Sequence, residues 1–397
     1  YKEKVQSLLD NGYAYRCFCT TERLQNIREE QQKQKKLIGY DRNCRNLSEM
    51  KCQELLRKNQ PYVVRFKIPF NREIVFNDMI RGEIKYDSNL LDDIIILKSD
   101  GYPTYHLANV VDDFLMKISH VLRGDEWITS TPRHILLYEA FGWKSPLFAH
   151  TPVILSPSGG KLSKRKGVAS VMDYMHGGFL PETIFNFLAL LGWSPGDDRE
   201  KMTTKEMVES FSLNKISPKS SVFDEQKLVW MNGLYLQDRS VESIKKSVIQ
   251  LWREKGYISQ ETDFDDIYLD SVVGLLKNRS KKINDIALNS KYFFLDPDTY
   301  EEKAVRKHWK GNAVNVLRIL IEKLEHCENF DQNTLEDLYK SYCEESGLSA
   351  GKLIHPTRLA VSGVSFGPGL FELLEVLGKD VVIRRMKTAV DWLSKEK

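Results

Sequence analysis

The chain has 397 residues, of which 42% are hydrophobic and 11% aromatic, so it is long enough for two or three domains and too apolar to be disordered. The 58 basic and 55 acidic residues leave a formal net charge of +3, which neither demands nor excludes a nucleic-acid partner. No apolar run approaches the length of a membrane-spanning helix, and six unevenly spaced cysteines do not form a disulfide scaffold. These features predict a globular protein that is suited to a reducing compartment.

The first hundred residues combine short helical and extended patterns. A short helix is predicted to end at Asn11, and a strand follows at residues 13–19. A charged segment comes next, and three stretches rich in β-branched and aromatic residues follow it before residue 98. We therefore predict that residues 20–95 form an inserted, mostly β module.

The next segment has the rhythm of a parallel, doubly wound sheet. Apolar residues between Leu107 and Leu115 recur at i, i+3, i+4, i+7 and i+8, which predicts one face of a helix. A strand at residues 118–122, a helix from Thr131 and a strand at Val153–Leu155 follow, with short loops between them. Beyond about residue 241 the pattern is almost entirely amphipathic helix, so an α/β part is expected to precede an all-α part.

Two features of this segment suit a site for an anionic ligand. Arg123 ends a predicted strand, where doubly wound sheets bind ligands, and its guanidinium could clamp a carboxylate or a phosphate. An ordinary salt bridge is the commoner role for such an arginine. The Pro/Gly-rich loop after the next strand carries four cations within residues 161–166 and could wrap around a polyphosphate. It lacks the spacing of a Walker P-loop, and a solvated basic loop is the simpler alternative.

Residues 161–165, Lys-Leu-Ser-Lys-Arg, resemble the KMSKS loop of class I aminoacyl-tRNA synthetases. Residues 101–113, 121–127 and 229–233 look like phrases of glutamyl-tRNA synthetase of the bacterial and organellar type. The resemblance covers essentially the whole chain. It implies a partial, doubly wound Rossmann-type catalytic domain with a β-containing insertion, followed by a C-terminal α-helical anticodon-binding domain.

The resemblance also implies a domain organisation. The implied regions are the second part of the catalytic domain at residues 1–150, with the inserted acceptor-binding module at about 20–95, a KMSKS-loop region that contacts the tRNA stem at 151–240, and the anticodon-binding domain at 241–397.

The resemblance further implies roles for individual residues. The glutamate pocket would be lined by Tyr105, His106, Leu107, Ala108 and Asn109, and Arg123 would bind a substrate carboxylate and select against glutamine. ATP would contact Glu126, Lys161, Leu162, Ser163, Lys164 and Arg165, among which Lys161 and Lys164 would be catalytic. Weaker expectations for contact with tRNA fall on Arg358, Arg384 and Arg385.

The implied reaction joins glutamate to tRNA(Glu) in two steps through glutamyl-adenylate, with ATP as substrate and Mg²⁺ on its phosphates. One alternative is a non-discriminating ligase that also charges tRNA(Gln). Another is a catalytically silent tRNA-binding protein, and the intact Arg123–Trp127 phrase argues against it. We expect a monomer without a membrane partner, in the mitochondrial matrix, with the bacterial cytoplasm as the alternative.

The sequence departs from the family pattern at two points. None of its eight histidines lies in a His-x-Gly-His-like phrase, so we expect a further N-terminal segment before Tyr1. Some relatives bind zinc with Cys-x-Cys and Cys-x-His, but here Cys17, Cys19 and Cys44 are followed by Asn46, with Cys52 as the nearby substitute. Because Asn46 is a poor zinc ligand, we predict that zinc is absent and that the chain has no metal site.

Overall fold

The computed structural model describes residues 1–36, 38–162, 170–259 and 265–395. The chain divides into two compact units. The first comprises residues 1–162, 189–198 and 208–223, and the other described residues belong to the second. Within these ranges, no helix combines the length and the apolar character needed to cross a bilayer.

The first unit contains two sheets with helices packed against them. Its strands are β1 Ala14–Cys17, β2 Val63–Phe66, β3 Glu73–Asp78, β4 Gly82–Asp87, β5 Ile95–Leu97, β6 His120–Gly124 and β7 Leu147–Thr151. Its helices are α1 Lys2–Asp10, α2 Thr21–Lys33, α3 Glu49–Arg57, α4 Tyr105–Leu115 and α5 Thr131–Ala140, with 3₁₀ turns at Ser88–Leu90, Asp125–Ser130 and Leu213–Lys215. One sheet has the order β1-β2-β5 and is antiparallel. The other has the order β4-β3-β7-β6, in which β3, β7 and β6 are parallel and β4 forms an antiparallel hairpin with β3.

The parallel sheet is held by apolar side chains that follow the periods of its elements. Along β3, buried and exposed side chains alternate strictly, as one buried face of a strand requires. On α4, Leu107, Val110 and Val111 are all buried on one helical stripe and share a core cluster with Phe148 of β7. The second half of α5, which joins β6 to β7, is also in that core. The core therefore fixes the sheet and leaves the ends of its strands to carry polar residues.

The predicted order of helix, strand, helix and strand is confirmed by α4, β6, α5 and β7. The predicted strand at Val153–Leu155 is wrong, because the strand lies at Leu147–Thr151 and Leu155 makes only isolated bridges. The polar residues His150 and Thr151 at the end of β7 give this stretch a sequence pattern that is more typical of a loop than of a strand. Within the segment predicted as an inserted module, the β3–β4 hairpin extends the sheet of β6 and β7.

The second unit is helical, as predicted for the chain beyond residue 241. Its helices are α6 Val171–His176, α7 Pro181–Leu190, α8 Thr204–Ser210, α9 Glu225–Asp238, α10 Val241–Glu254, α11 Asp266–Lys277, α12 Ile283–Leu288, α13 Lys291–Phe294, α14 Glu302–His308, α15 Ala313–Glu325, α16 Gln332–Ser346, α17 Gly351–Ser362, α18 Leu370–Leu377 and α19 Lys379–Lys395. Buried Leu317, Leu320 and Leu324 on α15 lie one to two turns apart, which is the spacing of a core-facing helix.

The family-like phrase at residues 229–233 has a structural explanation in α9. Asn232 is fully buried, and its side-chain oxygen accepts a hydrogen bond from the backbone N–H of Leu180 at 2.8 Å. Its amide donates to the carbonyl of Lys281 at 2.5 Å. A Cβ on Gly233 would lie 2.5 Å from Cδ of the Lys281 side chain, so a larger residue there would require that flexible side chain to move. The phrase therefore joins α9 to two neighbouring segments.

Arg385 on α19 is a core residue of the second unit. Only 4% of it is exposed, and its guanidinium donates to the carboxylate of Asp296 at 2.8 Å and to the carbonyls of Tyr292, Val361 and Leu295. Each of those buried carbonyls would be left without a partner if the guanidinium were removed. This position differs from the predicted role of Arg385 in contacting tRNA, because a side chain occupied in this way stabilises the helices around it.

We expect Arg385→Met to lower the free energy of unfolding by about 3 kcal/mol, because it removes a buried guanidinium from several acceptors. The matched control is Arg384→Met. Arg384 is half-exposed and also pairs with Asp296, so its loss is expected to cost less than about 1 kcal/mol. Urea unfolding of both variants, followed by circular dichroism, measures the difference. Equal losses in the two variants would contradict the structural role of Arg385.

Candidate active site

Three polar side chains lie side by side at the carboxyl ends of the parallel strands. Asp78 ends β3, Arg123 lies one residue before the end of β6, and His150 lies one residue before the end of β7. Arg123 and His150 are directly paired in the register of β6 and β7. In open α/β sheets, ligands bind just outside this edge. The structure therefore places Arg123 where the sequence predicted a ligand site.

Two nitrogens of the Arg123 guanidinium donate hydrogen bonds to described side chains, and the third has no such partner. Its Nε donates to Nε2 of His150 at 3.0 Å, and its Nη2 donates to the hydroxyl of Thr131 at 2.8 Å. Its Nη1 is buried and has no hydrogen-bond partner among the residues that the structure describes. Burial lowers the pKa of Arg123, an effect that nearby Tyr105 and Asp113 partly offset. An unpaired N–H group on a partly desolvated cation is suited to bind a carboxylate or a phosphate.

The first turn of α4 contributes an aromatic side to the site. Tyr105 packs on Trp127 with 4.8 Å between ring centroids, and the guanidinium of Arg123 lies 5.9 Å from the Trp127 ring. Nδ1 of His106 lies 3.0 Å from Nε2 of His134. Burial lowers the pKa of His134 to about 3 and also lowers that of His106, so both imidazoles are neutral near pH 7. Arg123, and not either imidazole, is thus a positive group on this side of the site.

The five residues predicted for the glutamate pocket do not all face the same way. Tyr105 and His106 lie on the side of Arg123, whereas Leu107 is fully buried in the core and packs away from the site. Ala108 is half-buried, and its backbone N–H continues the helix by bonding the carbonyl of Thr104. Asn109 donates to the carboxylate of Asp113 at 3.1 Å. Leu107 therefore supports the pocket from behind, which corrects its predicted role as a lining residue.

The predicted ATP contacts are only partly located. Nζ of Lys161 lies 3.4 Å from the carboxylate of Glu126, and both side chains are exposed. Leu162 donates its backbone N–H to Ile154 and is half-buried. Ser163, Lys164 and Arg165 lie outside the described residues. The chain thus brings the start of the basic loop to Glu126, three residues after Arg123.

The turn that leads into Lys161 depends on two glycines. Gly159 and Gly160 have φ angles of +86° and +77°, a left-handed conformation that strains residues with a Cβ. The backbone N–H of Ser156 bonds the carbonyl of Gly160, and Leu155 forms a bridge with Lys161. This tight turn returns the chain toward Glu126 just before the basic loop begins.

A cysteine cluster lies apart from Arg123 at the end of β1. The Sγ atoms of Cys17, Cys19 and Cys44 all lie within 4.8 Å of one another. The hydroxyl of Tyr40 lies 3.2 Å from Cys17 and 3.6 Å from Cys19, and it also accepts the backbone N–H of Cys44. A hydrogen bond from Cys44 lowers the pKa of Cys17.

The described residues supply three of the four donors that a tetrahedral zinc site needs. Asn46, the residue in the family's fourth position, is exposed, and Cys52 is not part of the described cluster. The Tyr40 hydroxyl lies beside the thiols, but burial raises its pKa and so disfavours the phenolate that would bind a metal. The absence of zinc therefore stays a prediction.

The arginines predicted to contact tRNA differ in their surroundings. Arg358 is 8% exposed, and its buried Nη1 has no partner among the described atoms. Arg384 is half-exposed and pairs with Asp296, while Arg385 is buried as described above. Of the three, Arg384 has the exposure that a contact with a phosphate requires.

Sequence reasoning missed several residues that shape the site. Asp78, Thr131 and His150 surround Arg123 or its partners, and Tyr40 lies beside the cysteine cluster. The sequence held a weak indication for Asp78, because it lies at the end of a strand in which buried and exposed residues alternate strictly. His150 was hidden because the strand that carries it was predicted five residues too late by its content of Val, Ile and Leu.

Comparison with known proteins identifies the class. Residues 1–230 match the family model for the catalytic domain of class I tRNA synthetases (E and Q), and residues 241–390 match that for an anticodon binding domain. These two matches confirm the predicted fold class.

Individual relatives narrow the class further. The chain is 39% identical to glutamate–tRNA ligase 1 of Caldanaerobacter subterraneus subsp. tengcongensis, over 99% of this chain and 82% of that protein. It is 42% identical to glutamate–tRNA ligase of Chloroherpeton thalassium, over 99% and 81%. A crystal structure of a glutamate tRNA ligase from Elizabethkingia meningosepticum, in complex with its amino acid, superposes with a TM-score of 0.91 at 36% identity, covering 99% of this chain and 82% of that one. The chain therefore belongs to the glutamate–tRNA ligase family of class I synthetases, as the sequence predicted.

Proposed function

We propose that the chain attaches glutamate to tRNA(Glu) with ATP, and that Arg123 receives a carboxylate of the amino acid. The observation that carries this proposal is the buried Nη1 of Arg123, which lies at the carboxyl edge of the parallel sheet and has no hydrogen-bond partner among the described residues. Membership of the glutamate–tRNA ligase family supports the reaction.

Arg123 also supplies a reason for selecting an acid over its amide. Its hydrogen-bond partners, His150 and Thr131, are neutral acceptors, so no carboxylate among the described residues hydrogen-bonds the cation directly. A glutamate carboxylate would provide that charge and a charge-assisted hydrogen bond. The amide of glutamine would leave a partly desolvated cation uncompensated, and sites built on such pairing discriminate by factors of about 10⁴ or more.

The reaction proceeds by positioning and by charge stabilisation. In the first step the carboxylate oxygen of glutamate attacks the α-phosphorus of ATP and pyrophosphate leaves. In the second step the terminal ribose hydroxyl of tRNA attacks the acyl carbon and AMP leaves. The basic loop from Lys161, with Lys164 as its central cation, would stabilise the leaving pyrophosphate, and Mg²⁺ enters with ATP as part of the substrate. Nζ of Lys161 lies 3.4 Å from the carboxylate of Glu126, at the start of this loop.

Three finer expectations stay predictions. The relatives compared above are bacterial, so the mitochondrial matrix rests on the sequence argument alone. The monomeric state and the charging of tRNA(Gln) rest on the resemblance. Among the predicted tRNA contacts, we retain Arg384 because it is exposed enough to meet a phosphate.

The charging assay tests the proposed function. We expect the full-length protein to attach glutamate to purified tRNA(Glu) in the presence of ATP and Mg²⁺. Charging of tRNA(Gln) with glutamate, run in parallel, decides between the discriminating and the non-discriminating ligase. Binding of tRNA(Glu) without any charging would instead support a catalytically silent tRNA-binding protein.

Substitution of Arg123 tests the binding role. We expect Arg123→Lys to lower kcat/KM for glutamate by about 100-fold, because an ammonium cannot donate to His150, Thr131 and a carboxylate in the same planar geometry. ATP–pyrophosphate exchange in the presence of tRNA measures the change. Arg72→Lys is the matched control, because Arg72 is exposed and pairs with Glu139. An unchanged KM for glutamate in Arg123→Lys would remove Arg123 from the amino-acid site.

The cysteine cluster allows the predicted absence of zinc to be tested. We expect wild-type protein to contain much less than about one zinc per chain, measured by plasma mass spectrometry, because closed structural sites need four ligands. About one zinc per chain that is lost in Cys19→Ser and retained in Cys52→Ser, which changes a thiol outside the cluster, would contradict this prediction.

A further inference from the structure

A chain of three hydrogen-bonded side chains runs across the ends of β3, β7 and β6. Asp78 is 2% exposed and His150 is fully buried. Oδ2 of Asp78 lies 2.6 Å from Nδ1 of His150, and Nε2 of His150 accepts from Nε of Arg123 at 3.0 Å. The chain therefore joins a buried carboxylate, through an imidazole, to the guanidinium that is left with one unpaired arm.

The carboxylate of Asp78 is ionised although it is buried. Burial opposes ionisation, but hydrogen bonds from His150 and from the backbone N–H groups of Arg81 and Ile80 prevail and lower the pKa of Asp78. Its Oδ1 accepts the two loop N–H groups at 2.9 and 3.0 Å, Oδ2 faces the imidazole, and the backbone N–H of His150 lies 3.1 to 3.2 Å from both oxygens. The carboxylate is thus a fixed hydrogen-bond acceptor for Nδ1 of His150.

This acceptor determines which nitrogen of His150 carries the proton. Burial lowers the pKa of His150, although Asp78 partly offsets the effect, so the ring is neutral near pH 7. With its proton on Nδ1 and directed at Asp78, the ring presents the lone pair of Nε2 to the Nε–H of Arg123. The opposite tautomer would set an N–H of His150 against an N–H of Arg123.

Thr131 completes the fixation of the guanidinium from the other side. Its hydroxyl accepts from Nη2 of Arg123 at 2.8 Å and lies 3.2 Å both from the carbonyl of Trp127 and from Nε2 of His150, so its own proton can be donated to either acceptor. Two of the three nitrogens of Arg123 are therefore occupied by neutral acceptors, and Nη1 has no partner among the described residues.

We propose that Asp78 and His150 are positioning residues for amino-acid selectivity, which fix the rotation of the Arg123 guanidinium so that Nη1 faces the substrate carboxylate. This inference rests on the proposed function. Neither residue touches the substrate, and both act through Arg123. The same geometry that aims Nη1 also prevents Arg123 from folding back onto Asp78, because the imidazole lies between them.

Asp78→Asn tests the role of the tautomer. The amide oxygen can keep the loop N–H groups, which leaves the amide nitrogen facing Nδ1 of His150. That nitrogen then donates, the ring proton moves to Nε2, and two donors oppose each other at Arg123. We expect KM for glutamate to rise by about 30-fold or more while KM for ATP changes by less than about threefold. Nitrogen-15 NMR of labelled histidine is expected to show His150 protonated on Nδ1 in the wild type and on Nε2 in the variant.

Two substitutions of His150 separate its contacts and keep the proposal testable if Asp78→Asn fails to fold. In His150→Gln the amide oxygen can occupy the position of Nε2 and accept from Arg123. In His150→Asn the amide can occupy the position of Nδ1 and serve Asp78 alone. We expect His150→Gln to keep KM for glutamate within about threefold and His150→Asn to raise it by about 10-fold or more. His120→Asn is the control, because the side chain of His120 is exposed and its Nδ1 lies 2.9 Å from the hydroxyl of Ser119.

The outcomes distinguish this inference from the proposed function. Equal loss in both His150 variants, with KM for ATP raised as much as KM for glutamate, would show a merely structural role and overturn the inference. Unchanged kinetics in both variants would also overturn it. If Arg123→Lys raises KM for glutamate while the His150 variants do not, the inference fails and the proposed function stands. If the wild type shows no glutamate-dependent exchange, the proposed function fails and the inference falls with it.

Discussion

The incomplete pairing of one arginine is the constraint on which the active site depends. Arg123 is half-buried, so it has lost part of its hydration, and its partners among the described side chains at hydrogen-bond distance are neutral. A guanidinium in that state gains most from a ligand that brings both negative charge and an acceptor oxygen. A protein that only needed to fold would be more stable with the arginine paired to a carboxylate. The parallel sheet and its apolar core keep the cation at the ligand edge in spite of that cost.

The second unit uses an arginine in the opposite way. Arg385 is more deeply buried than Arg123, yet its guanidinium is saturated by Asp296 and by three backbone carbonyls. Full satisfaction makes Arg385 a structural tie between helices, whereas partial satisfaction leaves Arg123 free to bind. In the sequence, both residues are simply arginines within a helix or near the end of a strand. The acceptors around each guanidinium distinguish the two roles, and those acceptors are known only from the structure. This is why the predicted tRNA contacts could not be ranked from the chain alone.

Local patterns predicted the elements, and long-range contacts decided the site. The stripe of Leu107, Val110 and Val111 is a property of one helix, so its period was sufficient to predict α4. The family phrase around Arg123 likewise lies in a single stretch. The contact between Asp78 and His150 joins residues that are 72 positions apart, and neither residue has a neighbouring motif that points to the other. The error in the predicted position of β7 made this contact still harder to predict, because it placed His150 in a loop.

The cysteine cluster shows the same limit from another direction. The resemblance grouped Cys17, Cys19 and Cys44, and in the structure their Sγ atoms lie within 4.8 Å of one another. The expected fourth position, two residues after Cys44, faces solvent, while Tyr40 enters the cluster from four residues before it. A motif records residues that are close in sequence, whereas the atoms that lie beside the three thiols depend on how the chain folds back in space. Asp78 and His150 stand in the same relation to Arg123, since the residue expected to meet the substrate belongs to a recognisable phrase and the residues that aim it do not.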